Sequence, residues 1–260
     1  MDATSPPLCV AETVTGKPGI VDLWYYFYET TSDPDLHRAQ AALMTVEESE
    51  RHQRLRFERD RRQFVATRAL VRTVLSNYTS VAPGAWRFAA SPHGKPHIDQ
   101  PRVKPPIYFN LANTSGLVVC AVSVAHEAIG VDVERIDREI EIELLAEKNF
   151  SEREFRTLRA LPASEQQRQF FAYWTLKESY IKALGVGLAL PLDQFSFLLD
   201  GQGISAAWER AQADKATDWK FTLLGAPQHL LGVAARTDGA PFSLRAAHVV
   251  PLGESEPRLA

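Results

Sequence analysis

The chain has 260 residues, 45% of them hydrophobic and 23% charged, with a formal net charge of −3. That is enough sequence for one large domain or two small ones, and too balanced a charge for a global field that draws in nucleic acid or membrane. Cys9 and Cys120 cannot build a disulfide framework, no basic-then-apolar leader is present, and the longest apolar run, 117–125, is far shorter than the roughly 20 residues that cross a bilayer. A reducing, cytoplasmic setting is expected.

Residues 1–20, with Pro6, Pro7, Gly16, Pro18 and Gly19, are expected as a loose N-terminal segment. The aromatic and β-branched run 21–28, VDLWYYFY, reads as the first strand. Thr45-x-x-Glu48 is a capping-box pattern that opens a helix towards Leu55, and a second helix is predicted over 60–77 from Phe64, Val71 and Tyr78 at helical spacing. From Arg51 to Arg72 the chain carries eight arginines against Glu58 and Asp60. Arg59, Arg61 and Arg62 crowd a helix start, where free N–H groups and the macrodipole favour an anion, so a phosphate partner is expected for the group.

Strands are predicted near 86–89 and 107–111, flanking the Pro- and Gly-rich loop 91–106, which is expected as a shaped turn. Within it Gly94-Lys95-Pro96 sets an ammonium beside backbone without a Cβ, a pattern that by itself also fits an ordinary exposed turn. Strands at 117–124 and 129–134 follow, then one helix over 143–161. A long helix over 170–188 is stopped by Gly185, and strands are expected near 195–199, 219–224, 230–235 and 244–249. Asp200-Gly201 reads as a hairpin turn. Helices followed by antiparallel strands in each half predict an α+β protein of two similar lobes, 21–127 and 128–250, ending in a tail over 251–260.

Two stretches carry chemistry. In the helix over 170–188, Trp174, Glu178 and Lys182 fall at i, i+4 and i+8 and share one face, an arrangement equally open to a structural ion pair and to a functional one. In Gly130-Val131-Asp132-Val133-Glu134, strand alternation sends Val131 and Val133 to the core and both acids to the opposite face, about 6.5–7 Å apart. Two carboxylates so close repel unless a cation or solvent intervenes. With Glu178 as a third oxygen donor the set suits Mg²⁺, which binds a few carboxylates and completes its shell with water and phosphate oxygens.

The G-V-D-V-E run followed by W-x-x-K-E-S-x-x-K (Trp174, Lys177, Glu178, Ser179, Lys182) resembles the 4′-phosphopantetheinyl transferases of the Sfp type. The GKP at 94–96 and FNLANT at 109–114 resemble that family's GKP and FN-x-S-H segments, in the same order. The resemblance implies a pseudo-twofold fold of two α+β lobes with coenzyme A in the cleft between them. It implies transfer of the phosphopantetheine arm of coenzyme A to a serine of an apo acyl or peptidyl carrier protein, releasing adenosine 3′,5′-bisphosphate. Neither nucleic acid nor membrane is an implied partner. Asp132, Glu134 and Glu178 would hold Mg²⁺, Glu178 could take the serine proton, and Lys182 would neutralise the leaving α-phosphate. Gly94, Lys95 and Pro96 would line the nucleotide, Arg51 would meet the 3′-phosphate, and Ala112, Asn113 and Thr114 would stand by the phosphates. Ala112-Asn113 replaces the family's Ser-His, which removes a hydroxyl and an imidazole. Residues 135–155 are the implied carrier-docking surface. The same carboxylates leave two alternatives: another Mg²⁺-dependent phosphoryl enzyme, or a silent module that binds coenzyme A or a carrier.

Overall fold

The computed structural model describes residues 9–10, 16–17, 19–200, 203–208, 216–253 and 258–259. The chain divides after Glu127 into two compact units, and 243–260 returns to the first. Each unit combines helices with mainly antiparallel sheets, so the class is α+β.

In chain order the first unit runs β1 (Cys9–Val10), β2 (Ile20–Tyr26), α1 (Pro34–Ala41), α2 (Val46–Arg54), α3 (Glu58–Ser76), β3 (Arg87–Ala90), β4 (Pro96–Gln100), β5 (Arg102–Val103), β6 (Tyr108–Thr114) and β7 (Leu117–Ser123). The predicted capping box opens α2: Thr45 Oγ1 accepts from the Glu48 amide and Glu48 Oε2 accepts from the Thr45 amide. One face of α3, including Leu70, Val71, Val74 and Leu75, joins a core with Trp24, Tyr26, Val118, Cys120 and Val122 of the sheet. Most of the arginines expected to await a phosphate are paired within the fold. Arg54 meets Glu50, Arg61 meets Glu58, and both Arg68 and Arg72 meet Glu48.

The loop expected over 91–106 contains strand: β3 and β4 form an antiparallel hairpin closed by the turn from Ser91 to Lys95, with Gly94 at φ 86°. Alternate half-buried residues of β4 lean on the core through Ile98.

The second unit runs β8 (Ile129–Arg135), α4 (Ile142–Asn149), α5 (Glu152–Ala160), α6 (Ala163–Leu184), β9 (Phe195–Asp200), β10 (Gly203–Trp208), β11 (Trp219–Ala226) and β12 (His229–Arg236). The single helix expected over 143–161 is two. Ser151 and Glu154 make a fresh capping box, and Phe150 is extended before it. The helix expected over 170–188 starts earlier, at Ala163, and ends at Leu184. β9 and β10 pair antiparallel, and the turn expected at Asp200-Gly201 reaches beyond the described residues. Strands β11, β12 and β8 form one antiparallel sheet.

The strand expected near 244–249 forms as β13 (Ser243–His248), but it pairs parallel with β2 and therefore belongs to the first unit, not to a lobe over 128–250. Beside this backbone ladder Arg245 places its guanidinium 2.6 Å from the carboxylate of Asp22, buried in β2. Within the tail expected over 251–260, β14 (Arg258–Leu259) pairs with β13, while 254–257 and 260 lie outside the described residues. The loose segment expected over 1–20 also lies largely outside them. No helix of the described residues is long and apolar enough to cross a membrane.

Candidate active site

Helix α6 is amphipathic in an unusual proportion. From Phe170 to Ala183 every residue is buried except Trp174, Glu178 and Lys182, so the i, i+4, i+8 line is the one strip left partly open. Trp174 stacks on Phe170 at 5.7 Å, a core role that fixes the strip's upper end. Gly185 closes the helix at φ 68°, its amide donating to Ile181.

Two glycines let α6 lie against the sheet backbone to backbone. A Cβ on Gly130 would stand 2.0 Å from the Ser179 carbonyl oxygen and 2.4 Å from the Ala183 nitrogen, and one on Gly232 would stand 2.6 Å from the Thr175 oxygen. Gly130 and Asp132 share a strand face, as do Gly232 and its cross-strand partner Asp132. Asp132 and Glu134 therefore project from the face that α6 covers. The expectation that they occupy a face away from the core is corrected: the valines are buried on the other face, and the acids emerge beside the helix.

This geometry brings Lys182 Nζ to 2.6 Å from Asp132 Oδ1, while Asp132 Oδ2 is buried without a hydrogen-bond partner. Glu134 accepts from Arg138 at 2.8 Å. Burial, reinforced by Asp132 and more weakly by Glu178, pushes the Glu134 carboxyl up to about 7 against the pull of Arg138 and Lys182. The Glu178 carboxyl is also raised, first by burial and then by Asp132, with Lys182 opposing. Asp132, Glu134, Glu178, Lys182 and Arg138 form one electrostatic cluster. Among the described residues no three His, Cys, Asp or Glu side chains stand gathered as a metal cage. Two of the acids are held by cations instead: Asp132 by Lys182 and Glu134 by Arg138. The donor set still fits a hard divalent cation: three carboxylates, one with a buried oxygen that nothing satisfies.

Lys177, from the same motif, turns the other way. Fully buried, its Nζ reaches Glu154 at 2.8 Å and donates to the carbonyls of Leu192 and Phe195 at 2.7 and 2.6 Å. Glu154 also accepts from the Phe197 amide and from Ser151. This buried pair ties α5 and the start of β9 to α6, a role that sequence reasoning missed. An apolar helix face interrupted by a lysine at 177 was the available signal.

The other expected site residues lie in the first unit. Arg51, exposed on α2, stands 5.6 Å from the Phe64 ring, which Arg68 also covers at 4.5 Å. Lys95, half-buried in the β3–β4 turn, is pushed down to about 8 by burial, with Glu127 opposing. Gly94 has open space where a Cβ would sit, and Pro96 begins β4. Ala112, Asn113 and Thr114 end β6, with Ala112 buried and Asn113 exposed.

Residues 128–234 match the 4′-phosphopantetheinyl transferase superfamily, and residues 30–125 match the 4′-phosphopantetheinyl transferase N-terminal family. The 4′-phosphopantetheinyl transferase Sfp of Bacillus subtilis is 34% identical over 163 residues, which cover 62% of this chain and 70% of that one. The chain belongs to the 4′-phosphopantetheinyl transferase family. The 4′-phosphopantetheinyl transferase HetI of Nostoc sp. is 38% identical over 149 residues, 57% of this chain, and the match spans 62% of HetI's own length. A phosphopantetheinyl transferase of Thraustochytrium sp. is 28% identical over 94% of this chain and 84% of its own. The solved holo-[acyl-carrier-protein] synthase of Thermotoga maritima is alike over 43% of this chain and 63% of that one, at 19% identity and a TM-score of 0.36. The superfamily match takes in Asp132, Glu134, Glu178 and Lys182, and the N-terminal match takes in Arg51, Lys95 and Asn113.

Proposed function

We propose that the protein transfers the 4′-phosphopantetheine arm of coenzyme A to a serine hydroxyl of an apo acyl or peptidyl carrier protein in the cytoplasm, releasing adenosine 3′,5′-bisphosphate. The observation that carries this reading is the Lys182–Asp132 contact at 2.6 Å, set beside two carboxylates that burial and their neighbours have made more basic. Asp132, Glu134 and Glu178 would hold Mg²⁺, which when bound supplies positive charge to the pyrophosphate oxygens. The unpartnered Asp132 oxygen supports that assignment.

The serine oxygen attacks the β-phosphorus, and the bond from that phosphorus to the oxygen bridging it to the α-phosphate breaks. Glu178 takes the serine proton, directly or through water, and its raised affinity for a proton favours that role at neutral pH. Lys182, half-buried beside Asp132, neutralises the bisphosphate as it leaves. Arg51 meets the 3′-phosphate, while Gly94, Lys95 and Pro96 line the nucleotide. At Ala112-Asn113-Thr114 the missing Ser-His leaves Asn113, Thr114 and backbone N–H groups as the donors.

The test is one incubation of the protein with coenzyme A, Mg²⁺ and an apo carrier, read by intact mass. A gain of one phosphopantetheine on the carrier is the expected result. Breakdown of coenzyme A with no gain on any carrier type refutes transfer and leaves a phosphoryl hydrolase.

A further inference from the structure

The first unit contains a cavity of about 280 Å³ walled by α1, the end of α2 and the first turns of α3 against β2. None of Arg51, Gly94–Pro96 or Ala112–Thr114 lines it, so it is separate from the residues assigned to coenzyme A. Its walls have two characters. Tyr26, Tyr28, Val65 and Ala66 supply an apolar side, whereas Arg38, Arg61, Arg62, His37 and His52 supply cationic or protonatable groups against Glu58.

The polar groups are unequally engaged. Arg38 is held by Asp35, and Arg61 is held by Glu58 at 2.9 Å and by the Leu55 carbonyl at 2.8 Å. Arg62, half-exposed, stands 3.9 Å from Glu58, too far for a hydrogen bond, so its guanidinium has donors to offer. Tyr26 is fully buried, and its hydroxyl has no hydrogen-bond partner. A phenol left unpaired in a packed unit is a standing cost that a ligand oxygen would relieve.

We propose that this cavity binds a compact aromatic anion, its ring against Tyr26, Tyr28, Val65 and Ala66, its anionic head on Arg62, and one head oxygen taking the Tyr26 hydroxyl. A planar guanidinium recognises carboxylate and phosphate heads alike, so the head group is one or the other. The wall of rings and small aliphatic side chains selects an apolar body over inorganic ions.

The experiment is isothermal titration calorimetry on the full chain with phenyl phosphate and with benzoate, each with and without saturating coenzyme A, and with neutral benzyl alcohol as control. One site is expected, with an affinity that coenzyme A does not change. It should weaken about tenfold in Arg62→Gln and about fivefold in Tyr26→Phe. Tyr26→Phe removes a hydroxyl that bonds nothing and keeps the ring, so the fold survives it. Tighter binding of phenyl phosphate identifies a phosphate head, and tighter binding of benzoate a carboxylate head. The proposal is overturned if neither anion binds, if benzyl alcohol binds as well as they do, if coenzyme A displaces the probe, or if either variant binds with unaltered affinity.

Discussion

Gly130→Ala is the substitution through which the fold and the proposed chemistry are most tightly joined. The new methyl would stand 2.0 Å from the Ser179 oxygen and 2.4 Å from the Ala183 nitrogen, both main-chain atoms in the middle of a helical turn. Ordinary van der Waals contact begins at 3.4 Å, so α6 must retreat from β8 by more than an ångström, since neither neighbour is a side chain that can rotate aside. That shift loosens the packing of the helix on the sheet and stretches the Lys182–Asp132 contact from 2.6 Å to beyond hydrogen-bonding reach. Overpacking of a tight interior costs about 1–3 kcal/mol and sometimes more, and a backbone-to-backbone clash belongs at the upper end, about 3 kcal/mol. For a chain of this size that lowers the melting temperature by about 6–12 °C. Thermal and urea denaturation should show this loss, and transfer to a carrier should fall in step below the melting point. Gly232→Ala, with its nearest atom at 2.6 Å, should follow with a smaller loss, while Gly84→Ala, which meets nothing, should stay within about 0.5 kcal/mol of wild type. Wild-type stability and turnover in Gly130→Ala would show that the helix does not rest on the strand as described.

Other outcomes follow from single groups. The folded Glu134 carboxyl titrates near 7 against an ordinary 4.5, so the native state binds more protons between those values; stability present at low pH is lost as pH rises through 7. Without divalent ions, Glu134→Gln should therefore gain on wild type between about pH 5 and pH 8 by on the order of 1–3 kcal/mol, and parallel denaturation curves at the two pH values would contradict this. Lys177→Met strands the buried Glu154 carboxylate and should cost about 3–5 kcal/mol in urea denaturation; a change under 1 kcal/mol would mean the pair is dispensable. Because burial lowers Lys95 to about 8, the KM for coenzyme A should rise as the pH passes that value, and in Lys95→Arg the rise should disappear. Leu144, 64% exposed on α4, is a candidate carrier contact, and Leu144→Ala should raise the carrier KM with kcat unchanged.

What the chain reveals to inspection is what lies within one element's period. Trp174, Glu178 and Lys182 sit four residues apart, and helix geometry alone places them on the strip that packing leaves open. The capping box at Thr45 was equally visible, and the same pattern at Ser151-x-x-Glu154 marks the break between α4 and α5 that a single-helix reading passes over. Features that depend on distant partners were not readable. β13 joins β2 across more than two hundred residues through Arg245 and Asp22, and nothing local distinguishes it from a strand of the second unit. The arginines of α3 looked poised for phosphate, because the carboxylate that engages Arg68 and Arg72 belongs to α2. Strand alternation correctly separated the acids from Val131 and Val133, but which face α6 would cover is set by Gly130 and Gly232 acting together.

The central claim is that Glu178, held beside Asp132 and Lys182, acts in the transfer itself. Glu178→Gln keeps the size and half-buried position of the side chain while removing its charge, so folding and coenzyme A binding should survive, checked by circular dichroism and calorimetry. Intact-mass analysis of an apo carrier incubated with coenzyme A, Mg²⁺ and this variant should show no phosphopantetheine added over a period in which wild type modifies the carrier completely. Modification at the wild-type rate would contradict the account.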